Sequence, residues 1–336
     1  MPKSRDDSQR YEMTIKMFGA QSEPAFETPE QQSAVWGRPW GCDTDVGRLR
    51  VVLMHRPGSE LEVVDPDKRI ESIGTFGDLA EGWYWQSDTI PPISEMQAQH
   101  DALVEILRAE GVEVVFLEGV TGGRLKSCYT RDSAIAIKGG ALVGRLGPRI
   151  RRGEELPVTR TLAKLGVPIL RTIHGTGLLE GGSFAWLNSR TAVIGRSIRV
   201  NEEGARQVEE VLRAQGVELI RVDLSGYDIH IDGSFVMVDA DTALVLASAL
   251  PYWFLEKLKE LKIRTVEMTP EDDPWIINCL AVRPGRLLMP PGASNRLLDR
   301  LAELDIEVVT VPYDKMSQNG GGIHCSTCPL ARDPVD

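Results

Sequence analysis

The chain has 336 residues, with 42% hydrophobic and 26% charged positions, the balance of a soluble globular protein. Its 38 basic and 49 acidic residues give a net charge of −11, which argues against nucleic acid as a partner and mildly favours cationic ligands. No apolar run is long enough to span a membrane and the opening Met-Pro-Lys-Ser-Arg-Asp-Asp lacks a signal-peptide core, so a cytoplasmic protein without a membrane partner is expected.

Residues 1–44, rich in Gln, Ser, Glu and Pro, read as an N-terminal arm whose end packs down through Trp36 and Trp40. Residues 45–336 read as one domain. Arg48 to Pro57-Gly58 is a strand and its stop, followed by an insertion (59–92) holding Trp83-Tyr84-Trp85. Apolar spacing predicts a helix over Glu95–Glu110, closed by Gly111 before the strand Val112–Phe116. The next segments repeat one order: strand, turn, strand, helix, helix-ending Gly or polar residue, strand. The predicted helices span Val158–Leu165, Glu202–Gln215, Pro251–Leu261 and Ser294–Glu303.

Each repeat opens on a polar head: Arg131-Asp132-Ser-Ala-Ile-Ala-Ile, Glu180-Gly-Gly-Ser-Phe-Ala-Trp, His230-Ile-Asp232-Gly-Ser-Phe-Val-Met and Asn278-Cys-Leu-Ala-Val. From Asp132 to Glu180, His230 and Asn278 the heads lie 48, 50 and 48 residues apart. A near-constant period of this size marks an internal repeat. Five ββαβ units then close into a ring, a five-bladed β/α-propeller with strands inside and helices outside. Corresponding loops converge on one face, which brings Asp132, Glu180, His230, Asp232 and Cys325 together.

The five cysteines (Cys42, Cys128, Cys279, Cys325, Cys328) do not read as a disulfide framework in a large chain without a signal. Cys325-Ser-Thr-Cys328 lacks the second close pair of a zinc ribbon and the strand-to-helix setting of a thioredoxin pair. No metal or organic cofactor is expected. Cys325 follows Gly320-Gly-Gly-Ile-His, and consecutive glycines allow close backbone approach to a ligand. His230 and Asp232, two apart on a strand opening, face one side, and a carboxylate beside an imidazole raises its pKa and fixes its tautomer. His324 is the competing base, but next to Cys325 in an extended segment it would face the opposite way. Asp132 and Asp232 suit a planar cation, which two carboxylates can grip with paired hydrogen bonds.

Together, Thr130-Arg-Asp132, Glu180-Gly-Gly, His230-Ile-Asp232-Gly-Ser-Phe-Val-Met-Val-Asp and Gly320-Gly-Gly-Ile-His-Cys325 resemble the guanidino-group-modifying superfamily over roughly residues 45 to 332. That superfamily contains arginine deiminases, dimethylarginine dimethylaminohydrolases and glycine amidinotransferases on the pentein fold. The resemblance implies Cys325 as nucleophile, His230 as acid/base, Asp132 and Asp232 as guanidinium clamps and Glu180 as a supporting carboxylate. It also implies arginines that bind the substrate carboxylate. Arg151 (or Arg152) and Arg199 are the best matches, Arg151 and Arg199 each lying 19 residues after a head (132 to 151, 180 to 199). Ser183 and Lys126 depart from the deiminase pattern, in which Asp and Asn are usual. The implied activity is hydrolysis of a small guanidino substrate through an S-alkylthiouronium, with amidino transfer or dimethylarginine hydrolysis as alternatives. Homo-oligomerisation is left open.

Overall fold

The computed structural model describes residues 5–17 and 28–335, so part of the expected arm over 1–44 lies outside the described residues. Within the arm, helix α1 (Arg5–Tyr11) runs into a π-helical turn, and α2 (Pro29–Trp36) ends at Gly37 in the left-handed region. Trp40 beyond it is buried and Trp36 is partly exposed. Gly41 then donates its N–H to Leu330 O at 2.9 Å, tying the arm to the C-terminal strand.

The elements follow in chain order as β1 (Leu49–Met54), β2 (Arg69–Ile70), β3 (Thr75–Asp78), β4 (Trp83–Trp85), α3 (Ile93–Ala109) and β5 (Glu113–Phe116). The second unit is β6 (Ala134–Ile137), β7 (Gly140–Val143), α4 (Glu155–Leu165) and β8 (Ile169–Thr172). The third is β9 (Phe184–Asn188), β10 (Thr191–Arg196), α5 (Glu202–Ala214) and β11 (Glu218–Asp223). The fourth is β12 (Phe235–Asp239), β13 (Thr242–Val245), α6 (Tyr252–Glu260) and β14 (Arg264–Glu267). The fifth is β15 (Leu280–Arg283), β16 (Arg286–Met289), α7 (Asn295–Ala302) and β17 (Glu307–Thr310). A short α8 (Asp314–Ser317) and β18 (Cys328–Arg332) end the chain.

Five three-stranded sheets result, ordered β18-β1-β5, β6-β7-β8, β11-β10-β9, β12-β13-β14 and β15-β16-β17. Each pairs its first two strands antiparallel and adds the third in parallel after the helix, as a helical crossover requires. The fold is the five-bladed pentein propeller. In the second unit β6 and β7 are wholly buried, whereas the outer strands β5, β14 and β17 are half-exposed. Neighbouring blades touch in sequence around the ring: β18 lies against β6, β9 against β12, β12 against β15, and β15 against β1.

The first blade closes differently from a simple tandem repeat. Its inner strand β18 comes from the far end of the chain and pairs antiparallel with β1. The segment after Cys325 is therefore a core strand, and Cys328 packs its thiol toward Ala134 O at 3.4 Å. Helix-to-strand exits keep a positive φ in every repeat, at Gly111, Gly166 and Gly216, and at Lys262 and Asp305 where no glycine stands.

The insertion forms the separate meander β2-β3-β4. Its period-two alternation buries Trp83 and Trp85 and leaves Tyr84 on the opposite face. Ser87 N–H donates to Gln318 O at 3.1 Å and Thr89 Oγ1 to Gln318 Oε1 at 3.0 Å, so the insertion is fastened to the chain just before Gly320.

Leu330 at the centre of β18 is fully buried among β1 and β6 side chains. Leu330→Ala should lower unfolding free energy by about 2–5 kcal/mol, measured by urea denaturation. A loss far below that range would show that closure through β18 contributes little.

Candidate active site

Each of the four heads folds as one turn of 3₁₀ helix that feeds the innermost strand of its blade. These turns are Thr130–Ser133, Gly181–Ser183, Ile231–Gly233 and Pro274–Ile277. The repeat period thus corresponds to a repeated backbone device at the ring centre. Successive heads interlock there. Gly182 N–H donates to Asp132 Oδ1 at 3.0 Å, and a Cβ on Gly182 would lie 2.9 Å from His230 Nδ1. Only glycine lets the Asp132 and His230 side chains meet at this point.

Cys325 sits in a tight turn after the glycines. Its N–H donates to Asn278 Oδ1 at 3.1 Å, and Asn278 Nδ2 donates to Sγ at 3.0 Å. The head of the fifth blade therefore holds the thiol from both sides. The repeat marks Asn278 in the sequence, yet its role becomes visible only with the thiol beside it. The glycines approach protein walls more than open space: a Cβ on Gly321 would meet the Tyr129 ring at 2.5 Å, and one on Gly322 would meet Asn278 Oδ1 at 2.6 Å. The Sγ lies 3.9 Å from Asp232 Oδ2, within reach of a weak S–H donor. Burial, with Asp232 and Asp132 nearby, pushes the Cys325 pKa well above the ordinary thiol value.

His230 stands between two carboxylates. Nε2 is 2.8 Å from Glu180 Oε2 and Nδ1 is 3.6 Å from Asp132 Oδ1. Burial opposes its charge, but Asp132 and Glu180 outweigh it and raise the pKa to about 9. Glu180 goes the other way: burial alone would raise it, while His230, Arg151 and Arg199 hold it down at about 2. His230 is thus an imidazolium at neutral pH.

Asp232 is oriented from behind. His324 Nδ1 lies 2.8 Å from Asp232 Oδ2, and Arg131 Nη2 lies 2.6 Å from His324 Nε2. A guanidinium can only donate, so Nε2 accepts and the proton sits on Nδ1, directed at Asp232. Burial and Arg131 accordingly lower the His324 pKa. Arg131 in turn faces Asp45 at 3.7 Å. Both His324 and Cys325 touch Asp232, because the segment turns there and is not extended as the sequence suggested.

The two arginines expected to bind a substrate carboxylate divide. Each pairs with the head 19 residues before it, Arg151 with Asp132 and Arg199 with Glu180 at 2.9 Å, so the shared offset marks an ion pair within each blade. Arg151 is sealed in by Glu154 at 2.8 Å and by the carbonyls of Lys126 and Tyr129. It is 3% exposed and does not line the cavity, whereas the alternative, Arg152, is an exposed residue. Arg199 does line the cavity, with Nη2 at 3.4 Å from Tyr84 Oη.

Asp132 lies deeper than the clamp reading expects. It is buried behind His230 and does not line the cavity, since Arg151, Gly182 and His230 surround its carboxylate. Its place suits positioning of His230 better than direct gripping of substrate. Ser183 is likewise buried, and donates to Ile229 O at 3.3 Å. Lys126 sends its ammonium to Asn319, 4.2 Å from the Tyr84 ring centroid, and burial lowers its pKa to about 7.

His230, Asp232, Asn278 and Cys325 open onto one cavity of about 380 Å³, walled higher up by Tyr84, Arg199 and Trp275. Asp132, Glu180 and His230 offer ligand atoms within 4.8 Å of one another, the spacing of a metal site. Arg151 and Arg199 already lie against these carboxylates, so the cluster carries its own cations.

A family model described as N,N dimethylarginine dimethylhydrolase, eukaryotic, matches residues 87–332. The chain belongs to this family. An arginine deiminase of Mycolicibacterium gilvum is 23% identical over 412 residues, covering 88% of this chain and 99% of its own. Two solved structures show the same fold. One is a dimethylarginine dimethylaminohydrolase of Pseudomonas aeruginosa complexed with citrulline (TM-score 0.67, 21% identity, 84% of this chain and 99% of that one). The other is an amidinotransferase of Microseira wollei from a saxitoxin biosynthetic pathway (TM-score 0.67, 14% identity, 88% and 98%). The chain is a member of the guanidino-group-modifying pentein superfamily.

Two predictions test this geometry. Alkylation by iodoacetamide needs the thiolate, and the Cys325 thiol is held high, so its rate should climb about tenfold per pH unit from neutral to beyond pH 9. Mass spectrometry of the Cys325 peptide reads this separately from Cys42, Cys128, Cys279 and Cys328, whose thiols burial pushes to about 12. A plateau near neutral pH would mean a resting thiolate. The second concerns His324. His324→Asn retains an N–H near the Nδ1 position, whereas His324→Ala removes it. Asn should therefore recover roughly tenfold or more of the kcat/KM lost in Ala, consistent with a hydrogen bond to a charged group. Equal impairment with equal melting temperatures would mean His324 does not orient Asp232.

Proposed function

We propose that the chain hydrolyses a small guanidino compound, arginine or an arginine-like molecule, through a covalent intermediate on Cys325. The observation that carries this reading is the joint opening of Cys325, Asp232 and His230 onto one cavity, with Glu180 paired to His230 from behind. A guanidinium placed there donates to Asp232 and presents its carbon to Sγ. Its charge stabilises the thiolate, whose proton leaves to solvent as the cation binds.

The Sγ–C bond then forms and a tetrahedral adduct results. His230 gives its proton to the leaving amine, the C–N bond breaks, and an S-alkylthiouronium remains. The now neutral His230 takes a proton from water as the oxygen attacks. The C–S bond breaks, Cys325 is released and the product is a ureido compound. Asp132 and Glu180 keep His230 charged before the first transfer and correctly turned for the second. No step calls for a group beyond these side chains and water.

Amidino transfer is the second reading, and one observation favours keeping it. A further cavity of about 300 Å³ shares Gln86 and Trp275 with the first, giving space where an acceptor amine could approach. One experiment separates the two. With arginine, agmatine and N-methylated arginines in water labelled with heavy oxygen, hydrolysis predicts one labelled oxygen in a ureido product without added amine. Turnover that requires an added amine and yields a new unlabelled guanidino compound would make the chain a transferase. In the same assay Cys325→Ser should lose nearly all turnover and Cys328→Ser, lying in β18, should not.

A further inference from the structure

The carboxylates around the site nearly all have a cationic or imidazole partner: Asp132 and Glu154 face Arg151, Glu180 faces His230 and Arg199, and Asp232 faces His324. Asp228 differs. Its side chain lines the cavity and is half-buried, and among the described residues no ion pair or side-chain hydrogen bond reaches its carboxylate. Burial raises its pKa and no cation is close enough to oppose that effect. A carboxylate partly removed from water without a partner is an incomplete interaction, and here it faces the space a ligand would fill.

Its position is built. The next residue, Ile229, has its carbonyl pinned by Ser197 Oγ at 2.6 Å and Ser183 Oγ at 3.3 Å. Asp228 N–H donates to Ser225 O at 3.0 Å. Asp228 and His230, two residues apart, both line the cavity. Two residues of extended chain span at most roughly 7 Å, a reach that a short aliphatic chain covers. Tyr84, Tyr227 and Trp275 line the same cavity, and aromatic faces attract cations. Arg199, the lining cation besides His230, is already shared between Glu180 and Tyr84.

We propose that Asp228 anchors an ammonium group at the far end of the guanidino substrate, so that the site selects amine-bearing guanidino compounds over guanidino acids of the same length. This rests on the guanidino-hydrolase reading. The guanidinium lies at Cys325 and Asp232, the aliphatic chain runs past His230, and the amine meets Asp228 among the aromatic rings. Arg199 would separately distinguish molecules that also carry a carboxylate.

The test compares kcat/KM for arginine, agmatine and δ-guanidinovalerate, the last lacking the amine, in the unaltered chain, Asp228→Asn and Asp228→Lys. In Asp228→Asn, which preserves shape, the preference for arginine and agmatine over δ-guanidinovalerate should fall roughly 10-fold to 100-fold, mainly through KM. In Asp228→Lys the order should invert in favour of δ-guanidinovalerate. Unchanged preferences in both variants, with turnover intact, would overturn the anchor and leave the hydrolase reading standing. No turnover of any of the three by the unaltered chain would overturn both.

Discussion

Everything at the centre of this ring depends on gathering three carboxylates and an imidazole where water is scarce. Asp132, Glu154 and Glu180 are each at most 2% exposed. An unpaired charge at such depth is strongly destabilising; removing one partner of a buried pair costs about 3–5 kcal/mol. Arg151 answers most of this demand, with Asp132 and Glu154 in direct contact and Glu180 at 4.0 Å. Even so, burial lifts Glu154 to about 7, so the balance is close. The same demand explains Gly182, whose missing side chain admits Asp132 and His230 to one place. Conserving charge at the ring centre thus dictates the backbone of two heads as well as the choice of arginine.

The electrostatic result is a resting state prepared for a cation. Cys325 and His230 are both shifted upward, the thiol by burial and acidic neighbours, the imidazole by Asp132 and Glu180 against burial. Both shifts favour the protonated forms, and the S–H can rest against Asp232 at 3.9 Å. In the proposed reaction a bound guanidinium would take over that acceptor and supply the positive charge that a thiolate needs. Substrate binding and nucleophile activation are then one event. His324, held neutral by Arg131, keeps Asp232 turned toward the cavity without adding a competing charge.

The sequence was most legible where the fold repeats. The period of the heads marks the four 3₁₀ turns, the apolar runs mark the inner strands, and the helix limits agree to within a few residues. Asp132, Glu180, His230, Asp232 and Cys325 meet as the converging loops imply. What spacing could not convey was depth. Arg151 and Arg199 share an offset because each returns to its own head, yet Glu154 follows Arg151 closely and draws it inward, while Tyr84 from another segment meets Arg199 near the cavity. Asp132 reads as a clamp, and the sequence does not show that Arg151 already lies on its carboxylate. The strand β18 was hidden because its partner β1 lies at the other end of the chain, a pairing that no local pattern reports.

This division also bears on how one ring can serve different chemistry. A dimethylarginine dimethylaminohydrolase and an amidinotransferase superpose on this chain with the same TM-score of 0.67, so the ring itself does not separate hydrolysis from transfer. The repeated heads furnish Asn278 beside the thiol, His230 with Asp132 and Glu180, and Asp232. The cavity wall is drawn largely from segments that do not repeat: Tyr84 and Gln86 from the insertion, and Tyr227 and Asp228 from the loop before His230. Residues tied into the buried charge cluster, Arg199 of the wall among them, cannot change without leaving a charge unpaired, whereas Tyr84, Gln86, Tyr227 and Asp228 carry no such obligation. Substrate preference is therefore free to vary at the wall while the reaction at the floor stays fixed.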